Sequence, residues 1–92
     1  MSRVDGDWLG QNVPKPHDAT TTIPCYVPAA VGSAELAISD ASGRLVRRVV
    51  LSARDTWTNV TLDMSLLASG TYEYQLGFDG RVVASKQMQL VK

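Results

Sequence analysis

The sequence predicts an all-β fold, an antiparallel sandwich of six to seven strands, and three observations carry that expectation. Apolar and polar residues alternate with period two in several short runs, turn residues punctuate those runs at regular spacing, and no stretch of ten residues has helical periodicity. The clearest run spans residues 66–76, LLASGTYEYQL, where Ala68-Ser69-Gly70 is a turn signal and Tyr72, Tyr74 and Leu76 then share one face. Gly70 is the expected pivot, since a chain reversing just before a strand often needs the positive φ that glycine reaches without steric cost. Three large residues on one side can hold the centre of a sheet against a second layer.

The other elements follow in order. Residues 1–8 read as a tail or linker, and residues 9–19, with two prolines two apart, are expected to run extended along the surface. Residues 20–27 form the first strand, with Ile23, Cys25 and Val27 facing in; Pro24 cannot donate to a ladder, so an edge position is expected. In the second strand Ala34, Leu36 and Ile38 alternate with polar or small neighbours. Asp40-Ala41-Ser42-Gly43 then reads as a hairpin turn, Asp accepting hydrogen bonds and Gly taking the strained position.

In the third strand, residues 44–51, Val46 and Val49 are out of phase, which predicts a bulge near Arg47-Arg48. The basic cluster Arg44, Arg47 and Arg48 fits either a ligand contact or the charged guarding of a sheet edge. Residues 56–62 form a fourth strand with Val60 and Leu62 inward, and Asp63-Met64-Ser65 begins a turn. Asp79-Gly80 is a strong two-residue hairpin signal, and residues 81–91 form the last strand, with Met88 and Leu90 inward and Lys86 and Lys92 solvated. The expected core adds Val46, Val49, Leu67 and Leu90 to the inward residues already named.

Composition narrows the function. The 92 residues suit one domain, and nine Lys plus Arg balance nine Asp plus Glu, so no net field draws the chain to nucleic acid or an anionic membrane. No apolar run approaches the roughly 18 residues of a membrane-crossing helix. A single cysteine, Cys25, excludes an internal disulfide and any multi-cysteine metal site, and its strand position predicts a buried apolar filler. The lone histidine, His17, lies beside Asp18 without the third group a triad needs. Neither Ser42 nor Ser69 has the first glycine of a nucleophile elbow. Asn59-Val60-Thr61 matches a glycosylation acceptor pattern but falls inside a predicted strand. No catalytic residue, metal site or cofactor is expected.

Four motifs in order add a resemblance. Leu9-Gly10-Gln11-Asn12-Val13-Pro14-Lys15-Pro16-His17 precedes Thr21-Thr22-Ile23-Pro24-Cys25-Tyr26-Val27-Pro28; then come Ile38-Ser39-Asp40 with Gly43-Arg44-Leu45-Val46, the stretch Leu67-Ala68-Ser69-Gly70-Thr71-Tyr72-Glu73-Tyr74-Gln75-Leu76, and finally Lys86-Gln87-Met88-Gln89-Leu90-Val91-Lys92. This order resembles the C-terminal sorting domain of cargo carried by the type IX secretion system of Gram-negative bacteria, also called the Por secretion system, over residues 9–92. Lys15, His17, Cys25 and Ser39 depart from the family pattern. The resemblance implies an immunoglobulin-like sandwich without catalytic activity, which directs an upstream cargo through the periplasm to the outer-membrane surface or beyond. Its implied partners are the outer-membrane secretion machinery, a shuttle protein, a surface sortase that removes it, and the attached cargo. Implied recognition residues are Gly43, Arg44, Gly70, Tyr72, Lys86, Met88 and Lys92. Self-association through edge strands, and an adhesion or spacer role for the sandwich, are the other expectations the residues allow.

Overall fold

The computed structural model describes residues 8–15 and 20–91. Among the described residues there are seven strands: β1 (Val13–Lys15), β2 (Thr20–Tyr26), β3 (Ala34–Ser39), β4 (Leu45–Leu51), β5 (Trp57–Asp63), β6 (Gly70–Phe78) and β7 (Arg81–Leu90). They form two antiparallel sheets, one ordered β1-β2-β5 and the other β4-β3-β6-β7. Strict alternation in β2 and β3 sends Ile23, Cys25, Leu36 and Ile38 inward, where they meet Val60, Leu62, Tyr72, Tyr74, Leu76 and Met88 in one apolar core. The organising strand is β6, which lies between β3 and β7. Cys25 is buried, with its thiol directed at the Ile23 carbonyl oxygen 3.7 Å away, and burial pushes its pKa up to about 12. It is the apolar filler expected of it.

Pro24 is not at an edge. The strand carrying it is the middle one of its sheet, paired with β5 on one side and with β1 on the other, where the segment before β1 continues alongside. The Gly10 N–H donates to the Pro24 carbonyl oxygen at 2.8 Å, and the Tyr26 N–H donates to the Trp8 carbonyl oxygen at 2.8 Å. In an antiparallel pair the N–H and C=O of one residue point the same way, so the N–H that proline lacks would have faced Gly10. The Gly10 carbonyl oxygen instead accepts the Tyr74 hydroxyl from the opposite sheet at 3.0 Å, and the Asn12 N–H donates to that hydroxyl at 3.0 Å. A tyrosine thus supplies the donor that proline cannot. Gly10 is required for the approach, since a Cβ there would lie 2.8 Å from Pro24 Cγ.

For the same reason the opening segment does not simply run along the surface. Leu9 is 1% exposed and sits in the core, bridged to Cys25, while Trp8 packs edge-on against Phe78 at 5.6 Å between ring centroids. The expected bulge exists but falls earlier: Ile38 opposes Arg47 while Ser39 opposes Leu45, so Val46 is the extra residue. The turn begins at residues 63–65 as expected, and Met64 is fully buried within it because the inward phase of Val60 and Leu62 runs one step further. Val46, Val49, Leu67 and Leu90 are partly buried against the core. His17 lies outside the described residues.

Candidate recognition surface

One end of the sandwich gathers the β3–β4 turn, the β5–β6 loop and the C-terminal end of β7, because register fixes their neighbours. Ser39 opposes Glu73 on β6, Tyr72 opposes Met88 on β7, and Gly70 opposes Leu90. The turn at residues 40–43 is built on one carboxylate. Asp40 Oδ1 accepts from the Ser42 N–H at 3.0 Å, the Ser42 hydroxyl at 2.6 Å and the Arg44 N–H at 3.0 Å, while Oδ2 lies 3.4 Å from Arg44 Nε. Backbone bonds between Asp40 and Gly43 and between Asp40 and Arg44 close the loop, with Gly43 at φ 90°. The Ser42 hydroxyl bond first, and then the backbone bond from Arg44, hold the Asp40 carboxyl below its ordinary value. Arg44 keeps a side chain 79% exposed even while its Nε faces Asp40. This turn orients a cation rather than burying it.

The facing loop is tied down by Tyr72. Its ring is buried, and its hydroxyl donates to the Ala68 carbonyl oxygen at 2.6 Å, four residues upstream. That bond shapes the reversal through Ser69 and Gly70, where φ is 155°. Asp63 caps the start of the loop by accepting the Ser65 N–H at 2.9 Å, and the Leu67 N–H donates to the Met64 carbonyl oxygen. Leu67 packs inward, which leaves Leu66 89% exposed. Between turn and loop lies an open cleft of about 400 Å³ bordered by Ser42, Arg44, Leu66 and Gly70.

Four of the seven expected recognition residues, Gly43, Arg44, Gly70 and Tyr72, therefore meet at this end. Met88 lies beneath Tyr72 in the core, 4% exposed, and so supports the surface without forming it. Lys86 is not a solvated outward residue. It opposes the buried Tyr74 and shares the inner face of β7 with Ala84 and Met88, half-buried. Lys92 lies outside the described residues. Asp40 is the side-chain acceptor expected from the turn motif, whereas Leu66, an exposed apolar side chain bordering the same cleft as Arg44, was missed from the sequence. The inward phase of Val60, Leu62 and Met64 would carry Leu66 inward; the turn after Met64 breaks that phase, so no local signal marked Leu66 as exposed.

Arg47 completes a row with these residues. It opposes Ile38, which opposes Tyr74, which opposes Lys86, so one line across the four-stranded sheet has a cation on each edge strand and two fully buried side chains between. A charge on the inner face of an edge strand disfavours the addition of another strand. The guarding reading of Arg47 is the one this geometry supports.

Among the described residues no group of His, Cys, Asp or Glu is arranged to hold a metal ion, and no helix is long and apolar enough to cross a membrane. What the fold and its end face define is a small β-sandwich with a shaped, partly apolar and partly cationic loop surface. The family model described as a secretion system C-terminal sorting domain matches residues 13–90. The chain belongs to the family of type IX secretion C-terminal sorting domains. Membership makes it a sorting signal, implies an upstream cargo protein and the secretion machinery as partners, and directs that cargo to the cell surface or the extracellular space. No curated protein and no solved structure matches the chain.

Proposed function

We propose that the module is read by the secretion machinery through this end face, as a folded and non-catalytic address. The observation that carries the reading is that two chain-distant stretches meet at this end: Arg44, Gly70 and Tyr72 border one cleft, and Gly43 and Tyr72 border the adjoining one. Arg44 and Leu66 are the contacting side chains, a cation and an exposed apolar group of the kind that anchors a partner. Gly43, Gly70, Tyr72 and Met88 hold the backbone that presents them. Lys86 on the last strand and Lys92 at the chain's end in sequence belong to the same signal. A shuttle protein at the outer membrane receives the module after its cargo crosses the periplasm, and a surface sortase removes it, leaving the cargo released or joined to lipopolysaccharide. The functional unit begins at Trp8 and Leu9, which pack into the sandwich, and the residues before them connect it to cargo.

The test is a reporter protein placed upstream of residues 1–92, behind a signal peptide, in a host with a working type IX system. The reporter is expected at the cell surface, and Lys86→Ala combined with Lys92→Ala is expected to hold it in the periplasm while circular dichroism shows the sandwich intact. Undiminished surface display of the double variant would refute recognition through the last strand. Periplasmic retention of the unaltered fusion would favour a spacer or adhesion role.

A further inference from the structure

A sandwich of two open sheets has four edges, and three of these are guarded. On β4 the extra residue Val46 breaks the register, and Arg47 lies on the inner face. On β7 a second irregularity leaves Val83 unopposed between Leu76 and Gly77, Lys86 lies on the inner face, and the Gln11 side-chain amide donates to the outward Gln87 carbonyl oxygen at 3.1 Å. The third edge, β1, is three residues long and contains Pro14. Short length, proline, bulges and inward charges are the devices by which natural sheets block strand addition.

β5 has none of them. It runs seven residues in unbroken register with β2, from Asp63 opposite Thr20 to Trp57 opposite Tyr26, and its sequence WTNVTLD contains no proline, lysine or arginine. The direction of its free hydrogen-bonding groups follows from Pro24. The carbonyl of Pro24 points to Gly10, away from β5, so Pro24 and Asn59 form a non-hydrogen-bonded pair and the backbone groups of Asn59 point away from β2. By alternation those of Trp57 and Thr61 do so too. Among the described residues no strand pairs with that side. At one end of the edge Trp57, 50% exposed, leans on Tyr26 with ring centroids 5.7 Å apart. An aromatic pair of this kind offers an apolar anchor beside a row of backbone donors and acceptors.

The charge around this edge selects its partner. Residues 52–56 join β4 to β5, so the two edge strands lie on the same flank, which carries Arg47 and Arg48 on β4 and Asp63 at the far end of β5. Arg48 is paired with Glu35 at 2.7 Å and Arg44 faces Asp40. Arg47 has its own neighbour's carbonyl, Val46 O at 2.8 Å, and no carboxylate partner among the described residues. A second copy pairing β5 with β5 would add another Arg47 to this flank and no carboxylate for the first. An acidic strand would supply one.

We infer that the open edge of β5 takes up an extended acidic peptide segment as an added antiparallel strand, its backbone on Asn59 and Thr61, an apolar residue on Trp57 and a carboxylate toward Arg47. Main-chain bonds supply the affinity in this mode and side-chain contacts the choice of partner. The site lies on the flank of the sandwich, apart from the end face, and holds whether or not that end face is what the machinery reads.

The experiment uses the whole 92-residue chain, labelled with nitrogen-15, and a nine-residue capped peptide alternating Val and Glu, with the Val-Lys counterpart as control. The acidic peptide is expected to slow amide exchange at Asn59 and Thr61 and leave the outward amides of Ser85 and Gln87 unchanged; the lysine peptide is expected to do neither. Arg47→Ala is expected to weaken binding about fivefold, the worth of one partly exposed ion pair. Asn59→Pro removes an outward donor without touching the β2 ladder and is expected to abolish binding. Should that variant fail to fold, Arg47→Glu is expected to reverse the preference between the two peptides. Protection at β7, equal binding of both peptides, no binding, or protection of Asn59 and Thr61 by self-association without peptide would each overturn the inference.

Discussion

The two ends of the sandwich are built from the same turn chemistry and spend it differently. At one end Asp40 caps its own turn and the side chain that leaves it, Arg44, stays exposed. At the other, the Asp79-Gly80 turn joins β6 to β7 with both residues at positive φ, 51° and 82°. Asp79 looks away from its own turn and accepts the Ser33 N–H at 2.8 Å, a residue 46 positions distant. Arg54 works on the same end, donating to the carbonyl oxygens of Val31, Gly32, Leu51 and Ala53 at 2.9 to 3.1 Å. One aspartate turn is stapled to a distant loop, and the other bonds within itself and presents an exposed side chain. Polar groups already engaged with the molecule's own loops hold a fold together, and groups left outward are available to a partner. That contrast is why the proposed reading surface is the end with Arg44 and Leu66.

The stapled end should therefore fail first in stability. Leu9→Ala, which empties a fully buried position beside Cys25, is expected to cost about 2 to 5 kcal/mol by denaturant unfolding. A loss below 1 kcal/mol would mean that the opening segment is not part of the core. Arg54→Ala leaves four carbonyl oxygens without their donor and is expected to cost about 2 kcal/mol. Arg44→Ala, at the opposite end, is expected to stay within about 0.5 kcal/mol, as surface substitutions do. Equal losses for the two arginines would erase the distinction between the ends.

A smaller and more gradual effect belongs to the core that both ends share. The Cys25 thiol ionises near 9.0 when unfolded and near 12 when folded, so the unfolded chain releases its proton first as pH rises. Stability is fully present below pH 9 and falls between pH 9 and about 12. Burial raises Tyr74 in the same direction, which adds to the loss above pH 10. Thermal melts across this range should slope downward, and Cys25→Ala should flatten the slope while lowering the plateau. An unchanged slope in that variant would place the alkaline loss elsewhere.

Much of this architecture was legible because it depends on nearest neighbours. Alternation through Ile23 and Cys25, Leu36 and Ile38, and Tyr72, Tyr74 and Leu76 named the inner face of three strands. Asp40 to Gly43 and Asp79-Gly80 named two hairpins. What escaped was non-local. Pro24 was assigned to an edge because proline lacks a donor, and the compensating donor, Tyr74, lies 50 residues away in the other sheet. Trp8 to Gly10 join the ladder through that same exchange. Nothing near Arg54 in sequence marks it as a four-carbonyl staple. Lys86, by contrast, shares parity with Ala84, Met88 and Leu90, so its inward phase was readable and the habit of placing lysine in solvent overrode it. At the candidate surface, glycine and tyrosine positions were visible from the motifs, whereas the exposure of Leu66 depended on which way the β5–β6 loop turned.

The most direct measurement compares surface display of an upstream reporter carrying Arg44→Ala with one carrying Arg81→Ala, two exposed arginines at opposite ends. With both modules equally stable, Arg44→Ala is expected to lower display about tenfold, the loss of roughly 1.4 kcal/mol of binding, while Arg81→Ala leaves it unchanged. Equal display for the two variants, or a loss confined to Arg81→Ala, would contradict recognition through the end that holds Arg44.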